Sequence, residues 1–347
     1  MTIISDKIQM LPFVSIIIPS FNEEKFIGGV LDNIVEQDYP HERLEVFLID
    51  GNSRDKTRHL ILLKAKEHPF IQLLINEKQY VPFALNLGIS RAKGEVIVIM
   101  GSHSLYPLNY VSSLVEALFK LDADNVGGVL INSATNSSLK PTAIAKVLSS
   151  LFGIGNAYFR IGSKHIKRVD TVPFGCYHRS VFDRIGLFDE ELFKNQDDEF
   201  NARLIQKGGS IYLIPEIKII YFTRESVKAL WRMFFQYGFF KPLVNLKLKQ
   251  PANIRQFFPP VFVIFLFLTL TGSYFSPWIF YSLIAGGSIY ILANLFFTLK
   301  IMLETRRPLL LFFLPWLFLV LHLAYGWGYL IGIVKFVFFN TAVQNNF

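Results

Sequence analysis

Polar side chains follow three predicted strands of this 347-residue sequence, each within a few residues of the strand's end. Ligands of open α/β sheets bind beyond the carboxyl ends of the strands, so we expect these side chains to meet at one crevice. Each of them alone fits a turn or a helix cap, but their coincidence after three strands favours a common binding site. The three groups are Ser20, Asn22 and Glu23; Asp50, Asn52 and Asp55; and Ser102 and His103.

An acidic run, Asp197, Asp198 and Glu199, opens a helix that we predict over residues 197–207. The positive end of a helix dipole stabilises carboxylates, so the three residues could serve only to match that dipole. A carboxylate that stays charged near neutral pH can also take a proton from a hydroxyl group as a general base. Both interpretations remain open from the residues alone.

The elements that must position these residues alternate between β-branched runs and helical patterns over the first 130 residues. This alternation predicts an α/β fold with a parallel sheet and crossover helices. Residues 131–168 are poorly patterned and rich in Asn, Ser, Thr and Gly, which indicates a mobile connection over the site with one helix near 141–152. We predict strands over 14–18, 44–49, 71–75, 95–100 and 210–213, and helices over 24–37, 56–67 and 82–91.

The composition changes sharply near residue 255, because residues 256–299 contain no Asp, Glu, Lys, Arg or His. A hydrocarbon core of about 30 Å needs roughly 20 apolar residues per helix. We therefore predict three transmembrane spans, although Pro259 and Pro260 leave a re-entrant or in-plane first segment as an alternative. The spans cover about 257–273, 277–299 and 309–334.

Lysine and arginine flank these spans and indicate their orientation, since such residues favour the cytoplasmic side. We expect a multi-pass protein of the cytoplasmic membrane with its N-terminal domain in the cytoplasm, although Lys335 after the third span argues mildly the other way. Three parts are predicted: a catalytic domain over 1–225, amphipathic interfacial helices over 226–255 and a transmembrane domain over 256–347. The orienting residues are Lys241, Lys247, Lys249 and Arg255 before the first span and Lys300, Arg306 and Arg307 before the third.

The net charge is +8 at pH 7, and the lone cysteine, Cys176, excludes an internal disulfide framework. A basic chain can bind nucleic acid, but in a membrane protein attraction to anionic lipid head groups is the simpler explanation. We expect membrane lipids and no nucleic acid as partners.

Four segments resemble the family 2 glycosyltransferases of GT-A fold. VSIIIPSFNEEKFI is similar to the family's first strand and nucleotide loop, and LEVFLIDGNSRDKT to its second strand. ALNLGISRAKGEVIVIM resembles the segment before its DxD motif, and NQDDEFNARLIQKGG its catalytic-base helix. HSLYP and VDTVPFGCYHRSVFDRIGLFDEEL are closest to the succinoglycan-type bacterial exopolysaccharide transferases, which also carry C-terminal membrane helices. The resemblance implies a Rossmann-like, mostly parallel sheet.

The resemblance also implies inverting transfer of a hexose from a UDP-sugar, with one general base. The alignment puts that base at Asp197, or at Asp198 if the register slips by one. Asp50 matches the residue that reads the uracil ring, and the wall between donor sugar and acceptor falls on Phe174, Gly175 and Cys176, with Gln196 beside the base. The nucleotide site implied by the resemblance comprises Pro19, Phe21, Glu23, Asp50, Asn86, Gly88 and Ser102.

The family's DxD motif, which holds a divalent cation, is replaced here by Gly101, Ser102 and His103. His103 stands at the second acidic position and is the expected metal ligand, for Mn²⁺ or Mg²⁺, with imidazole favouring Mn²⁺. Gly101 offers no side chain, so a metal-free enzyme that neutralises the diphosphate with Lys or Arg is the alternative.

The expected reaction is the non-processive transfer of a hexose to a polyprenyl-diphosphate-linked saccharide at the cytoplasmic membrane face, in polysaccharide biosynthesis. The sequence lacks the QxxRW signature of processive synthases, and Gln236-Tyr237-Gly238 is its nearest approach. Two alternatives remain: an enzyme that glycosylates polyprenyl phosphate itself, and a catalytically inactive scaffold that binds nucleotide, which the glycine at position 101 would suit.

Overall fold

The computed structural model describes residues 11–223 and 225–339. The chain divides into two compact units. The first comprises the described residues up to Ile131 together with Gly162–Tyr221, and the second comprises Asn132–Ile161 together with the described residues from Phe222 onwards. Each unit is therefore assembled from two separate stretches of sequence.

The first unit is built on a sheet whose N-terminal half is parallel, in the order β3-β2-β1-β4. Its two central strands are almost entirely buried, which explains why they read as continuous apolar runs instead of alternating patterns. The strands are β1 (Val14–Ser20), β2 (Leu44–Asp50), β3 (Ile71–Ile75) and β4 (Val96–Ile99), and the crossover helices are α1 (Ile27–Val35), α2 (Thr57–Glu67) and α3 (Val81–Arg91).

The other half of the sheet makes it mixed, because β8 (Cys176–His178) pairs antiparallel with both β4 and β6 (Asn125–Ser133). The order continues through β9 (Ile211–Phe222) to β5 (Ser104–Leu105), and β7 (Lys167–Arg168) pairs with β9. The predicted α/β class with a mostly parallel sheet is confirmed. The helices of this half are α4 (Tyr110–Lys120), α8 (Arg179–Ile185) and α9 (Gln196–Gln206).

The second unit is helical, and three of its helical segments are long and apolar enough to cross a membrane. They cover Arg255–Gly272, Pro277–Thr305 and Leu310–Phe338, in agreement with the three predicted spans. The helices of this unit are α5 (Leu139–Val147), α6 (Leu151–Ile154), α7 (Tyr158–Ile161), α10 (Val227–Leu248), α11 (Phe258–Gly272), α12 (Pro277–Thr305) and α13 (Leu310–Ile333).

Two segments of this unit were foreseen only in part from the sequence. The segment predicted as a mobile connection with one helix near 141–152 contains α5, α6 and α7, and Ile144 and Val147 of α5 are fully buried in one apolar cluster with Leu314 and Phe318 of α13. The segment predicted as one or two interfacial helices forms one helix, α10, which packs along α13. In both cases the apolar partner lies far away in the sequence, so local patterns could not reveal it.

Candidate active site

The loops that follow β1 and β2 are tied together by hydrogen bonds from backbone amides to side chains. The Asn22 amide donates to Ser53 Oγ at 2.9 Å, and the Glu23 amide donates to Thr57 Oγ1 at 2.7 Å. Asn22 itself has a positive φ of 54°, a conformation that asparagine tolerates better than most residues, and its Oδ1 accepts from the Arg54 amide at 2.9 Å. The two loops therefore form one continuous rim at the carboxyl edge of the sheet.

Asp50, the last residue of β2, is fully buried and charge-paired. Arg58 of α2 donates to Asp50 Oδ2 through Nε at 3.0 Å and Nη2 at 2.8 Å, and the Ser53 amide lies 3.2 Å from both carboxylate oxygens. Arg58 also donates to Asn52 Oδ1 at 3.2 Å. Arg58 was not singled out from the sequence, because an arginine in the first turn of a surface helix carries no distinguishing local pattern.

The loop after β4 joins this rim through a contact between His103 and Glu23. His103 Nδ1 lies 3.1 Å from Glu23 Oε1, and both side chains are only partly exposed, at 22% and 17%. The imidazole also lies near two aromatic rings, with centroid separations of 5.3 Å to Tyr221 and 6.5 Å to Phe26. Three loops thus converge at this edge of the sheet, as the sequence predicted.

Gly101, which replaces the first acidic residue of the motif, faces the ring of Phe174. A Cβ atom at position 101 would lie 2.7 Å from two carbons of that ring. The Gly101 amide donates to the Tyr106 hydroxyl at 2.5 Å. Burial raises the pKa of Tyr106, so its hydroxyl stays protonated, and it donates in turn to Gly101 O at 3.3 Å. The Phe174 ring therefore occupies the space that an aspartate side chain at position 101 would need, and Tyr106 bonds to the backbone of Gly101.

The donor set limits how a divalent cation can bind here. Among residues 11–223 and 225–339 no group of three or more His, Cys, Asp or Glu side chains could hold a metal ion. The converging loops bring together the imidazole of His103 and the carboxylate of Glu23. Cations such as Mg²⁺ commonly take few protein ligands and complete their shell with substrate phosphates and water. These two side chains fit a cation that is held mainly by a diphosphate.

The acidic helix α9 begins after Asn195, which has a positive φ of 62°. Glu199 is buried and forms a 2.7 Å ion pair with Arg203, so its role is structural. Asp197 is exposed, and its Oδ1 accepts from the Asp198 amide at 3.0 Å. Burial raises the pKa of Tyr177, and the negative charge of Asp197 raises that pKa further.

The structure places some predicted site residues in packing roles. Asn86 bonds to the backbone of Phe188 through both of its side-chain polar atoms, and a Cβ at Gly88 would meet Ile17 and Ile49 within 2.8 Å. Cys176 is fully buried in the sheet, and burial raises the pKa of its thiol.

The remaining predicted residues lie at or near the loops. Phe21 is 47% exposed beside the loop after β1, while Pro19 is half-buried at the end of that strand. Ser102 is buried, and Gln196, at the start of α9, is half-buried. Phe174 adopts a φ of 47° and accepts a 3.1 Å bond from the Tyr110 hydroxyl on its carbonyl, while Gly175 packs against Asn125 and Tyr177.

Comparison with known proteins identifies the relatives of this chain. The model of glycosyl transferase family 2 matches residues 15–186. A Methanococcus voltae protein is 34% identical over 331 residues, covering 93% of this chain and 98% of that protein. It is named dolichyl N-acetyl-α-D-glucosaminyl phosphate 3-β-D-2,3-diacetamido-2,3-dideoxy-β-D-glucuronosyltransferase.

Two further comparisons extend this picture. The succinoglycan biosynthesis protein ExoA of Rhizobium meliloti is 27% identical over 253 residues, covering 70% of this chain and 73% of that protein. The solved structure of the mannosyltransferase PcManGT from Pyrobaculum calidifontis, in complex with GDP-Man and Mn²⁺, superposes with a TM-score of 0.56 at 19% identity. The match covers 92% of this chain and 88% of that one, and it supports the GT-A fold.

Proposed function

This chain belongs to the family 2 glycosyltransferases, and on that premise we propose that it transfers one sugar from a UDP-sugar to a saccharide linked through phosphate to a polyprenyl lipid. The observation that carries the acceptor class is the match to the Methanococcus protein, which includes the C-terminal helices as well as the sheet. That protein is named for an acceptor with a single phosphate. The sequence alone had suggested a diphosphate link, and the experiment below compares the two.

The nucleotide would bind at the rim formed by the loops after β1 and β2. Asp50 would accept a hydrogen bond from the uracil ring, with Arg58 holding its carboxylate in place through two bonds. A charge-assisted hydrogen bond of this kind discriminates more strongly than a neutral one. The exposed ring of Phe21 would cover the nucleotide, and the rim includes the other predicted contacts at Pro19, Glu23 and Ser102.

Asp197 would act as the general base. The acceptor hydroxyl gives its proton to Asp197 while its oxygen bonds to the anomeric carbon, and the bond from that carbon to the diphosphate oxygen breaks, with UDP leaving with the electron pair. Attack from the face opposite UDP inverts the anomeric configuration. Asp198 is the alternative base, and Phe174, Gly175 and Gln196 are the proposed neighbours of the donor sugar.

A divalent cation, Mn²⁺ or Mg²⁺, would neutralise charge on the diphosphate when bound, and His103 would hold it. The three apolar helices associate the protein with a membrane, where a polyprenyl-linked acceptor also resides. The basic residues before the first and third spans favour a catalytic domain on the cytoplasmic face.

The test is sugar transfer by the purified full-length protein in detergent with Mn²⁺. A panel of UDP-sugars is combined with three acceptors: N-acetylglucosamine on polyprenyl phosphate, the same sugar on polyprenyl diphosphate, and bare polyprenyl phosphate. We expect a disaccharide product by mass spectrometry with the first acceptor, and NMR of its anomeric proton should show inversion. A product with bare polyprenyl phosphate alone would identify the second class of enzyme, and inactivity with every donor would favour the scaffold.

The base assignment is tested with Asp197→Asn, Asp198→Asn and, as a control, Asp183→Asn at an exposed position of α8. General bases contribute roughly 10²–10⁴-fold to the rate, so Asp197→Asn should lower kcat by at least about 100-fold. The control should retain wild-type kcat. If Asp197→Asn keeps the wild-type kcat and Asp198→Asn loses it, Asp198 is the general base.

A further inference from the structure

The contact between Glu23 and His103 joins two loops that are 80 residues apart in the sequence. We propose that Glu23 is a positioning residue that holds the His103 imidazole with Nε2 directed to a divalent cation on the UDP diphosphate. This inference rests on the proposed function. Glu23 then has a second task besides the predicted nucleotide contact. The pair formed by the Glu23 carboxylate and the His103 imidazole takes the place of the two aspartates of a DxD motif.

The chemistry of imidazole gives the first reason. A neutral imidazole carries one N–H and one lone pair, and the hydrogen bond made by one nitrogen fixes the state of the other. Glu23 Oε1 lies 3.1 Å from Nδ1, and a carboxylate can only accept. In the neutral ring Nδ1 then carries the proton, and Nε2 keeps the lone pair that a cation needs. Metal-binding histidines in proteins commonly donate their other N–H to a carboxylate in this way.

The surroundings of the pair show that its geometry is fixed at both ends. The Glu23 amide is held by Thr57 Oγ1 of α2 at 2.7 Å, which anchors the carboxylate's backbone. The ring centroids of Tyr221 and Phe26 lie 5.3 Å and 6.5 Å from that of the imidazole. Tyr221 belongs to β9 and pairs with Ser104, the residue directly after His103. A ligand that is oriented in advance loses less entropy on binding than a freely rotating one.

The loss of a side chain at position 101 makes this orientation important. The Phe174 ring fills the space where a second ligand would start, 2.7 Å from the place of a Cβ atom. Only one protein nitrogen then supports the cation, and the diphosphate supplies the remaining charge. We therefore expect Mn²⁺ to bind tightly only when UDP is present, in contrast to a site with a full set of carboxylates.

The test uses MnCl₂ and UDP with the full-length protein, and it measures no sugar transfer. Mn²⁺ binding is followed by electron paramagnetic resonance with and without UDP, and pulsed measurements detect coupling to a ligand ¹⁴N nucleus. Two-dimensional ¹H–¹⁵N NMR of histidine-labelled protein without metal reports the tautomer of His103, assigned by its loss in His103→Ala. We expect Mn²⁺ binding that depends on UDP, a nitrogen coupling that His103→Ala abolishes, and an Nδ1–H tautomer.

Glu23→Ala should weaken Mn²⁺ binding to the UDP complex by about 10- to 100-fold, the usual effect of removing an outer partner of a metal ligand. It should also reduce the nitrogen coupling and shift His103 towards the Nε2–H tautomer. Glu23→Gln, whose amide oxygen still accepts a hydrogen bond, should lie between Glu23→Ala and wild type. Glu24→Gln in the same loop is the matched control, because the Glu24 carboxylate bonds to the Lys56 amide and not to His103.

If Glu23→Ala binds Mn²⁺ with the same affinity and the same nitrogen coupling as the wild type, the positioning role is wrong. It is also wrong if the wild-type protein with UDP binds Mn²⁺ tightly but shows no nitrogen coupling. Circular dichroism and thermal unfolding in detergent check that each variant is folded. Failure of the wild type to bind UDP would overturn both this inference and the proposed function. Normal UDP and Mn²⁺ binding without transfer to any acceptor would overturn the proposed function alone.

Discussion

Asp50 shows how far a single residue could be interpreted from its sequence context. Its position after a buried strand, together with the family resemblance, suggested a carboxylate that reads a base. The structure adds that this carboxylate is fully buried and already bonded twice to Arg58. A buried charge without a partner is costly, so the arginine is what allows a carboxylate at this place. Base recognition would then depend on both residues.

Arg58→Ala should weaken UDP binding by about 10-fold, because a hydrogen bond to a charged group is worth roughly 1.5–3 kcal/mol and Asp50 would lose its orientation. Arg58→Lys should recover only part of the affinity, since an ammonium group cannot reproduce the paired contacts of a guanidinium. Titration calorimetry with UDP measures both. Arg54→Ala, an exposed arginine of the same loop, is the control, and equal affinities in Arg58→Ala and Arg54→Ala would contradict the pairing argument.

Gly101 illustrates the limit of residue-level reasoning. The sequence shows that a ligand is missing at this position, but not what takes its place. The ring of Phe174 comes from a segment more than 70 residues away, and its backbone φ of 47° arises only in the folded chain. Tyr221, whose ring lies near the His103 imidazole, was missed for the same reason.

At the scale of elements, the parallel strands were predicted almost to the residue, and the two central ones, β1 and β2, are buried on both faces. The antiparallel half was largely missed. β8 has three residues and β5 has two, and strands of that length exist only through their partners. β9 runs through Pro215 to Phe222, whereas the prediction ended at residue 213, since proline normally interrupts a strand.

The pairing of α10 with α13 depends on three glycines, and no sequence pattern had indicated it. A Cβ at Gly238 would lie 2.1 Å from Tyr325 O, and one at Gly328 would lie 2.1 Å from Phe235 O. Gly332 faces Phe239 O at 2.2 Å in the same way. Small residues allow helix backbones to approach closely in membrane proteins. The opposing atoms are backbone oxygens, which cannot rotate away as a side chain could.

Gly328→Ala should therefore destabilise the second unit by about 1–3 kcal/mol, the usual cost of overpacking a tight contact. Thermal unfolding in detergent, followed by circular dichroism, measures the change. Gly287→Ala is the matched control, because Gly287 also lies in a long apolar helix but has nothing within 4 Å of an added Cβ. An unchanged melting temperature in Gly328→Ala would show that α10 and α13 can separate without cost.

At the scale of the whole molecule, the chain's order in sequence and its order in space differ. The parallel half of the sheet, the acidic helix and the apolar spans were predictable, because each has a local signature. The assignment of residues 132–161 to the helical unit was not, since their contacts are with residues near 300–324. Arg307, for example, donates to Ser137 O and to Thr142 Oγ1, each at 3.3 Å.

His322 links the same two stretches in the interior of the helical unit. Its Nε2 lies 2.9 Å from Phe152 O, and its Nδ1 lies 3.0 Å from the Tyr290 hydroxyl. These contacts support a structural role for His322. The ring of Phe152 packs edge-on against the imidazole at 5.0 Å.

His322→Leu should loosen residues 151–154 from α13, because the Phe152 carbonyl and the Tyr290 hydroxyl would both lose a partner in an apolar setting. An unsatisfied buried polar group costs about 1–3 kcal/mol, so amides near Phe152 should exchange with deuterium roughly 10-fold faster, as measured by mass spectrometry. His322→Gln, which retains one donor and one acceptor, should protect the segment partly, and His59→Leu at an exposed position of α2 should have no effect there. Unchanged exchange in His322→Leu would mean that apolar packing of α5 and α6 alone holds the segment against α13.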